Sequence, residues 1–184
     1  MSLSVVVALA DGFEEIEAVA PIDILRRAGL NVVTVGISGC TVTGSRGVVL
    51  TVDRAWSDFP PPNVLVLPGG MPGSKNLGEH AGLRQMAQQV ALADGWLAAI
   101  CAAPAFTLGA WGLLSGRQAT CFPGCEEQFS ADVTYRPDPV VVDGHIVTAR
   151  GPGVALEFSF RLVELLQGID IAARLRIQMQ CGID

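Results

Sequence analysis

Histidine is nearly missing from this chain: His80 and His145 are the only two in 184 residues. Neither stands at ligand-like spacing from Cys121 and Cys125, so no metal site is expected. Positive charge is also thin, with 12 Lys+Arg against 18 Asp+Glu and a net charge of −6. The basic residues are scattered and form no stripe, which argues against a nucleic-acid partner. No glycine-rich dinucleotide fingerprint, P-loop or flavin motif occurs, and no cofactor is expected. A secretory leader is not expected either. The first cationic side chain is Arg26, and Asp11 and Glu14 interrupt the early apolar run. The five cysteines are odd in number, and with no leader they point to a reducing, cytoplasmic setting. Residues 96–116 carry no charge and are long enough to span a bilayer. Pro104, Gly109, Gly112 and Gly116 interrupt them and no cationic cluster flanks them, so a buried strand followed by a buried helix is expected, with no membrane contact.

What the chain has in abundance is apolar residues, 50% against 16% charged. That is too apolar for a disordered chain. The length suits one domain, residues 1–184, with a substantial core. Fully buried strands are expected, with a further apolar surface closed by oligomerisation.

The runs 4–10, 30–37 and 96–100 read as buried strands, and 60–70 as a loop, a buried strand and an abrupt Gly-Gly stop. Helices are predicted within 11–29, with Phe13, Ile16, Ala20 and Ile24 on one face, and over 81–93, 102–114, 154–167 and 170–179. Residues 41–55 read as a short β excursion, 117–122 as a weaker strand, and 140–149 as a hairpin turning at Asp143-Gly144. Alternating strands and helices predict an α/β fold with an open, mostly parallel sheet and helices on both faces. In such folds ligands bind outside the carboxyl ends of the strands.

Cys101 stands at such an end, in "WLAAICAAPAF". Pro104 suits the first turn of a following helix, whose N-terminus would favour a thiolate. Two readings stay open, a nucleophile on a tight elbow and a buried core cysteine. Gly69 and Gly70 in "LPGGMPG" can offer backbone amides to an oxyanion, or simply mark a turn. Glu17 borders the apolar face, and Pro21 removes the hydrogen bond to its carbonyl. A carboxyl pushed toward a pocket stays protonated and can donate to a thiolate, whereas the plain alternative is a solvated acidic turn with Glu14 and Glu15 facing water.

Several blocks in order, "DGFEEIEAVAPIDILRRAG", "GSRGVVL", "VLPGGMPGSKNL", "AAICAAP" and "TARGPGVALEFS", cover nearly the whole chain. Together they resemble the ThiJ/PfpI superfamily, in its parkinsonism-associated deglycase (DJ-one) branch. The resemblance implies a flavodoxin-like three-layer sandwich and a homodimer. It makes Cys101 the reactive cysteine and Glu17 the carboxyl that contacts it. It gives Gly69, Gly70 and the backbone of Ala102 to an anion-stabilising pocket, and Asp23, Arg27 and Arg46 to the pocket and dimer surface. Arg150 and Pro152 would shape the interface and pocket rim. The branch often has a histidine where this chain has Phe122. No imidazole can then act as base from that position, and Asp23 lacks its usual partner. Glu17 would handle the proton alone, or Cys121 would serve as a resolving thiol for Cys101.

The implied activity is a cofactor-independent glyoxalase or deglycase acting on methylglyoxal, glyoxal or their early protein adducts. The alternatives are a cysteine-oxidation sensor or redox-regulated chaperone and, against the evidence of Phe122, a cysteine peptidase or amidase.

Overall fold

Four short apolar runs form the middle of a seven-stranded sheet in the order β10-β11-β7-β6-β1-β2-β5. The computed structural model describes residues 3–181. Its strands are β1 (Ser4–Leu9), β2 (Asn31–Gly36), β3 (Thr41–Thr43), β4 (Val49–Thr51), β5 (Arg54–Ala55), β6 (Val64–Leu67), β7 (Trp96–Ile100), β8 (Gln118–Ala119), β9 (Thr134–Tyr135), β10 (Val140–Asp143) and β11 (Ile146–Ala149). All neighbours in the large sheet pair in parallel except β10 and β11. The helices are α1 (Glu15–Arg27), α2 (Gly73–Glu79), α3 (Ala81–Leu92), α4 (Ala155–Gln167) and α5 (Ile169–Gln178).

The central strands are buried on both faces, and alternate residues serve opposite layers. Val5, Val7, Leu9, Val64, Val66, Ala98 and Ile100 pack with Ile24 and Leu25 of α1 and Phe158 and Leu162 of α4. Val6, Ala8, Leu65, Leu67, Leu97 and Ala99 pack with Leu77 of α2, Leu83 and Met86 of α3, and Leu108. This is the expected three-layer α/β sandwich. The chain leaves β1 for β2 on one side and later returns to place β6 on the other. Such a reversal opens a crevice at the carboxyl ends of the strands, here those of β1, β6 and β7.

The structure corrects several sequence-based expectations. On α1, Ile16 is 56% exposed whereas Glu17 is fully buried. The helix begins only at Glu15, and its inward face is Glu17, Ala18, Pro21, Ile24 and Leu25. Phe13 is buried from the turn before it. The segment after Cys101 is not a regular helix. Pro104–Gly109 is π-helical, Ala110 N donates to Ala105 O at 3.2 Å, and Gly112 then adopts φ +76°. Helix α2 escaped the sequence reading because "GSKNLGE" has little apolar periodicity. Tertiary docking holds it, with Ser74 and Leu77 buried. The strand expected over 117–122 shrinks to β8, which pairs with β9 in a separate small sheet. The hairpin turns at Gly144 and His145, one residue later than expected, because Asp143 pairs with Ile146. The Asp143 carboxylate accepts from Gln118 N at 2.8 Å and from Arg117 at 3.0 Å, which holds it in the strand.

Candidate active site

Strand β7 ends at Ile100, and the next residue turns sharply. Cys101 has φ +66°, a left-handed conformation that costs a non-glycine residue about 1–2 kcal/mol. Hydrogen bonds on both sides hold it there. Cys101 N donates to Ala149 O at the end of β11 at 2.8 Å, and Cys101 O accepts from Phe122 N at 2.8 Å. Ala102 and Ala103 are buried beside it and leave no bulk over the turn. The side chain sits at the floor of the crevice, 8% exposed.

The first turn of α1 delivers Glu17 to the same point. Its Oε2 accepts from Gly69 N at 2.8 Å. Oε1 is buried with no well-formed hydrogen bond, and the Cys101 thiol interacts with the carboxyl directly. Burial is the main force on Glu17 and raises its pKa to about 7. The charge of nearby Glu14 adds to the rise, while Cys101 and the Gly69 amide oppose it. Burial likewise pushes the Cys101 thiol well up, and a charged Glu17 pushes it further. The amides of Gly70 and Ala102 pull the other way.

Two expectations change here. The helix start does not by itself make Cys101 a thiolate, because burial outweighs it. A thiolate is compatible with this pocket only when Glu17 keeps its proton, since the carboxyl then donates to sulfur instead of repelling it. And Gly69 is not part of the anion pocket, since its amide is engaged by Glu17. The donors aimed at the sulfur are those of Gly70 and Ala102.

Gly69 fits only without a side chain. A Cβ there would collide with Glu17 Oε2 and lie 2.6 Å from Cys101 Cβ. Gly70 has φ +90° and packs against the backbone of residues 12–14.

Above the thiol lies an open cleft of about 360 Å³. Its walls include Glu14, Ser45, Arg46, Gly70, Met71, Ala102, Phe122, Cys125 and Pro152. Glu14 and Glu15 are half-buried and structural, contrary to the expectation that they face water. Glu14 caps α1, accepting from Glu17 N at 2.8 Å. Glu15 holds the tip of the β3–β4 hairpin, accepting from Arg46 N at 2.6 Å and Ser45 Oγ at 3.3 Å. Arg46 is thereby set on the cleft wall.

Other expected residues lie elsewhere. Asp23 and Arg27 pair with each other at 2.8 Å on the far half of α1 and do not line the cleft. Arg150 borders a neighbouring groove that shares Phe122 and Pro152 with the cleft. Phe122 is 46% exposed, at the cleft rim where the imidazole was sought. Cys121 is fully buried and does not line the cleft, whereas Cys125, which the sequence reading passed over, does. His80 caps α3, accepting from Leu83 N at 3.0 Å, and His145 is exposed at the hairpin turn beside Trp96. The missed wall residues carried one signal: the "EEIE" run places an acidic cap three residues before Glu17. Among the described residues no helix is long and apolar enough to cross a membrane.

A thiol on a strained elbow, a buried carboxyl against it and two converging amides at a sheet reversal define a cysteine-centred α/β protein of the doubly wound class. The DJ-1/PfpI family profile matches residues 3–165, and the chain belongs to that family. It is 41% identical over 168 residues to protein DJ-1 homolog B of Arabidopsis thaliana, covering 89% of this chain but only 38% of that relative. It is 31% identical over 157 residues to glutathione-independent glyoxalase DJR-1.2 of Caenorhabditis elegans, covering 84% of this chain and 83% of the relative. The crystal structure of Drosophila melanogaster DJ-1beta superposes with a TM-score of 0.92 at 35% identity, covering 100% of both chains.

Proposed function

We propose that this protein is a cofactor-independent glyoxalase or deglycase that uses Cys101 on small reactive aldehydes such as methylglyoxal and glyoxal, or on their early protein adducts. The observation that carries this reading is the Glu17 carboxyl, buried against the Cys101 thiol with a pKa raised to about 7. The similarity to a protein named as a glutathione-independent glyoxalase supports it.

In the productive state the pair holds one proton, with sulfur as thiolate and Glu17 protonated. The thiolate attacks the aldehyde carbon, and Glu17 gives its proton to the carbonyl oxygen, which forms a hemithioacetal. The Gly70 and Ala102 amides steady the negative charge as it moves from sulfur to oxygen. Glu17, now a carboxylate, takes the proton from that carbon and returns it to the adjacent one, while the hydroxyl proton passes to the neighbouring oxygen and leaves a thioester. Water then cleaves the resulting thioester, releasing the hydroxy acid and regenerating the thiol. Methylglyoxal gives lactate and glyoxal gives glycolate. No imidazole is needed at Phe122.

Lactate formation from methylglyoxal by wild type, with loss in both Cys101→Ala and Glu17→Gln, is the test. Equal turnover by all three would overturn the mechanism.

A homodimer is part of the same proposal. Ile16 and Val19 on the outer face of α1 are 56% and 45% exposed, and Val48 and Val49 on the β3–β4 hairpin 48% and 58%. Glu15 joins the two elements through its bond from Val48 N at 3.4 Å, so these side chains belong to one apolar region that a second copy would cover. Light scattering should give twice the mass of the chain.

A further inference from the structure

The cleft holds a second sulfur that the proposed chemistry does not use. Cys125 is partly exposed and lines the same cleft as Cys101. It also packs against the apolar cluster that contains Cys101 and Ala102. Two hydrogen bonds join its backbone to the elbow: Cys101 O accepts from Phe122 N at 2.8 Å, and Phe122 O accepts from Cys125 N at 2.9 Å. The connecting turn passes through Gly124 at φ +93°, and none of the four residues of the short helix Cys125–Gln128 is fully buried. Moving Cys125 toward Cys101 therefore disturbs a surface turn and leaves the sheet intact. Cys121 has none of these properties. It is fully buried, and burial, followed by the neighbouring Cys125 and Glu126, pushes its thiol up to about 12; burial and Glu126 raise the less buried Cys125 thiol as well.

We propose that Cys125 is the resolving thiol of Cys101, so that a hydroperoxide converts the cleft to a reversible Cys101–Cys125 disulfide. The inference rests on Cys101 being the reactive thiol of the function proposed above. In the first step the Cys101 thiolate attacks the hydroperoxide. The O–O bond breaks, one oxygen stays on sulfur as a sulfenic acid, and the other leaves as water or an alcohol with the proton that Glu17 held. In the second step the Cys125 sulfur attacks that of Cys101. The S–O bond breaks, and the hydroxyl leaves as water with the Cys125 proton. A disulfide needs Cα atoms about 4.4–6.8 Å apart, so the 122–125 turn closes onto the elbow as the bond forms. A dithiol reductant supplies the two electrons that reopen it. The disulfide masks the nucleophile and stops oxidation before the irreversible sulfinic acid.

The test treats the protein with two equivalents of hydrogen peroxide, enough to carry one thiol to the sulfinic acid, alkylates the remaining thiols and maps the peptides. Wild type should lose two hydrogen masses and yield a linked Cys101–Cys125 peptide, with lactate formation lost and then restored by dithiothreitol. Cys121→Ser should give the same link. Cys125→Ser should instead gain two oxygens at Cys101. Sulfinic acid at Cys101 in wild type with no linked peptide, or a link that joins another cysteine, overturns the proposal while leaving Cys101 as the reactive thiol. A Cys101 that neither oxidises nor supports lactate formation removes both readings.

Discussion

The amide of Gly69 donates to Oε2 of Glu17 at 2.8 Å, across 52 residues of sequence, and so fixes the carboxyl beside the Cys101 thiol. The bond joins the end of β6 to the first turn of α1. It accounts for the missing side chain at position 69, since a Cβ there would lie 2.6 Å from Cys101 Cβ and 2.8 Å from Ile100 O. The Gly69→Ala variant should therefore displace Glu17. Overpacking of this kind costs about 1–3 kcal/mol. The expected result is a lower denaturation midpoint with lactate formation reduced more than binding, read as a fall in kcat with little change in KM.

The proton on Glu17 couples stability to activity. Its folded pKa, about 7, lies well above the ordinary glutamate value of 4.5. A raised carboxyl stabilises the fold fully below the unfolded value, and the contribution is lost as pH rises through the folded one. At about 1.4 kcal/mol per pH unit, that interval corresponds to about 3 kcal/mol. Wild type should lose stability between about pH 4.5 and about pH 7, and Glu17→Gln should not. Turnover should move the opposite way. The pair sheds its first proton near 7 and the productive state holds one, so kcat/KM of wild type should rise through about 7. Paired denaturation and rate profiles over this range check both signs.

Cys101 carries its φ of +66° without the freedom of glycine. Cys101→Ala and Cys101→Gly should both abolish lactate formation, since neither has a sulfur. Their stabilities should differ, with the glycine variant more stable by about 1 kcal/mol because it alone adopts this conformation without steric cost. Equal stabilities by urea denaturation would contradict the strained elbow.

Neither histidine reaches the cleft. A variant carrying His80→Asn, which keeps an N-cap on α3, together with His145→Gln should retain wild-type kcat/KM. A loss of tenfold or more, roughly 1.4 kcal/mol in the barrier, would show that an imidazole takes part.

Much of the fold was legible in the sequence because its strands are short, apolar on both faces and separated by helices of regular periodicity. The elbow was legible for the same reason, since "WLAAI" ends where Cys101 begins. Glu17 was legible as a candidate through the motif, but its burial stayed one of two readings beside a solvated acidic turn. The apolar period was read through Ile16, and a carboxyl on the inward face breaks that pattern. Helix α2 and the π-helical Pro104–Gly109 stayed hidden because tertiary contacts decide them over local preference. The division of labour between Gly69 and Gly70 was beyond the sequence, because it depends on which way each amide points. Cys125 was missed because the position beside Phe122 drew attention to Cys121, and only the turn through Gly124 shows which sulfur meets the cleft.

Cys101 and Gly69 lie just past the ends of β7 and β6, and Glu17 lies in the first turn of α1, the helix that follows β1. No segment shorter than residues 17–101 therefore contains all three. In a nascent chain Cys101 is an ordinary thiol, alkylated like any other, and it acquires its distinctive chemistry only when β1, β6 and β7 lie side by side. The rate at which its alkylation departs from that of Cys40, which is exposed, is thus a clock for the closing of the sheet during refolding.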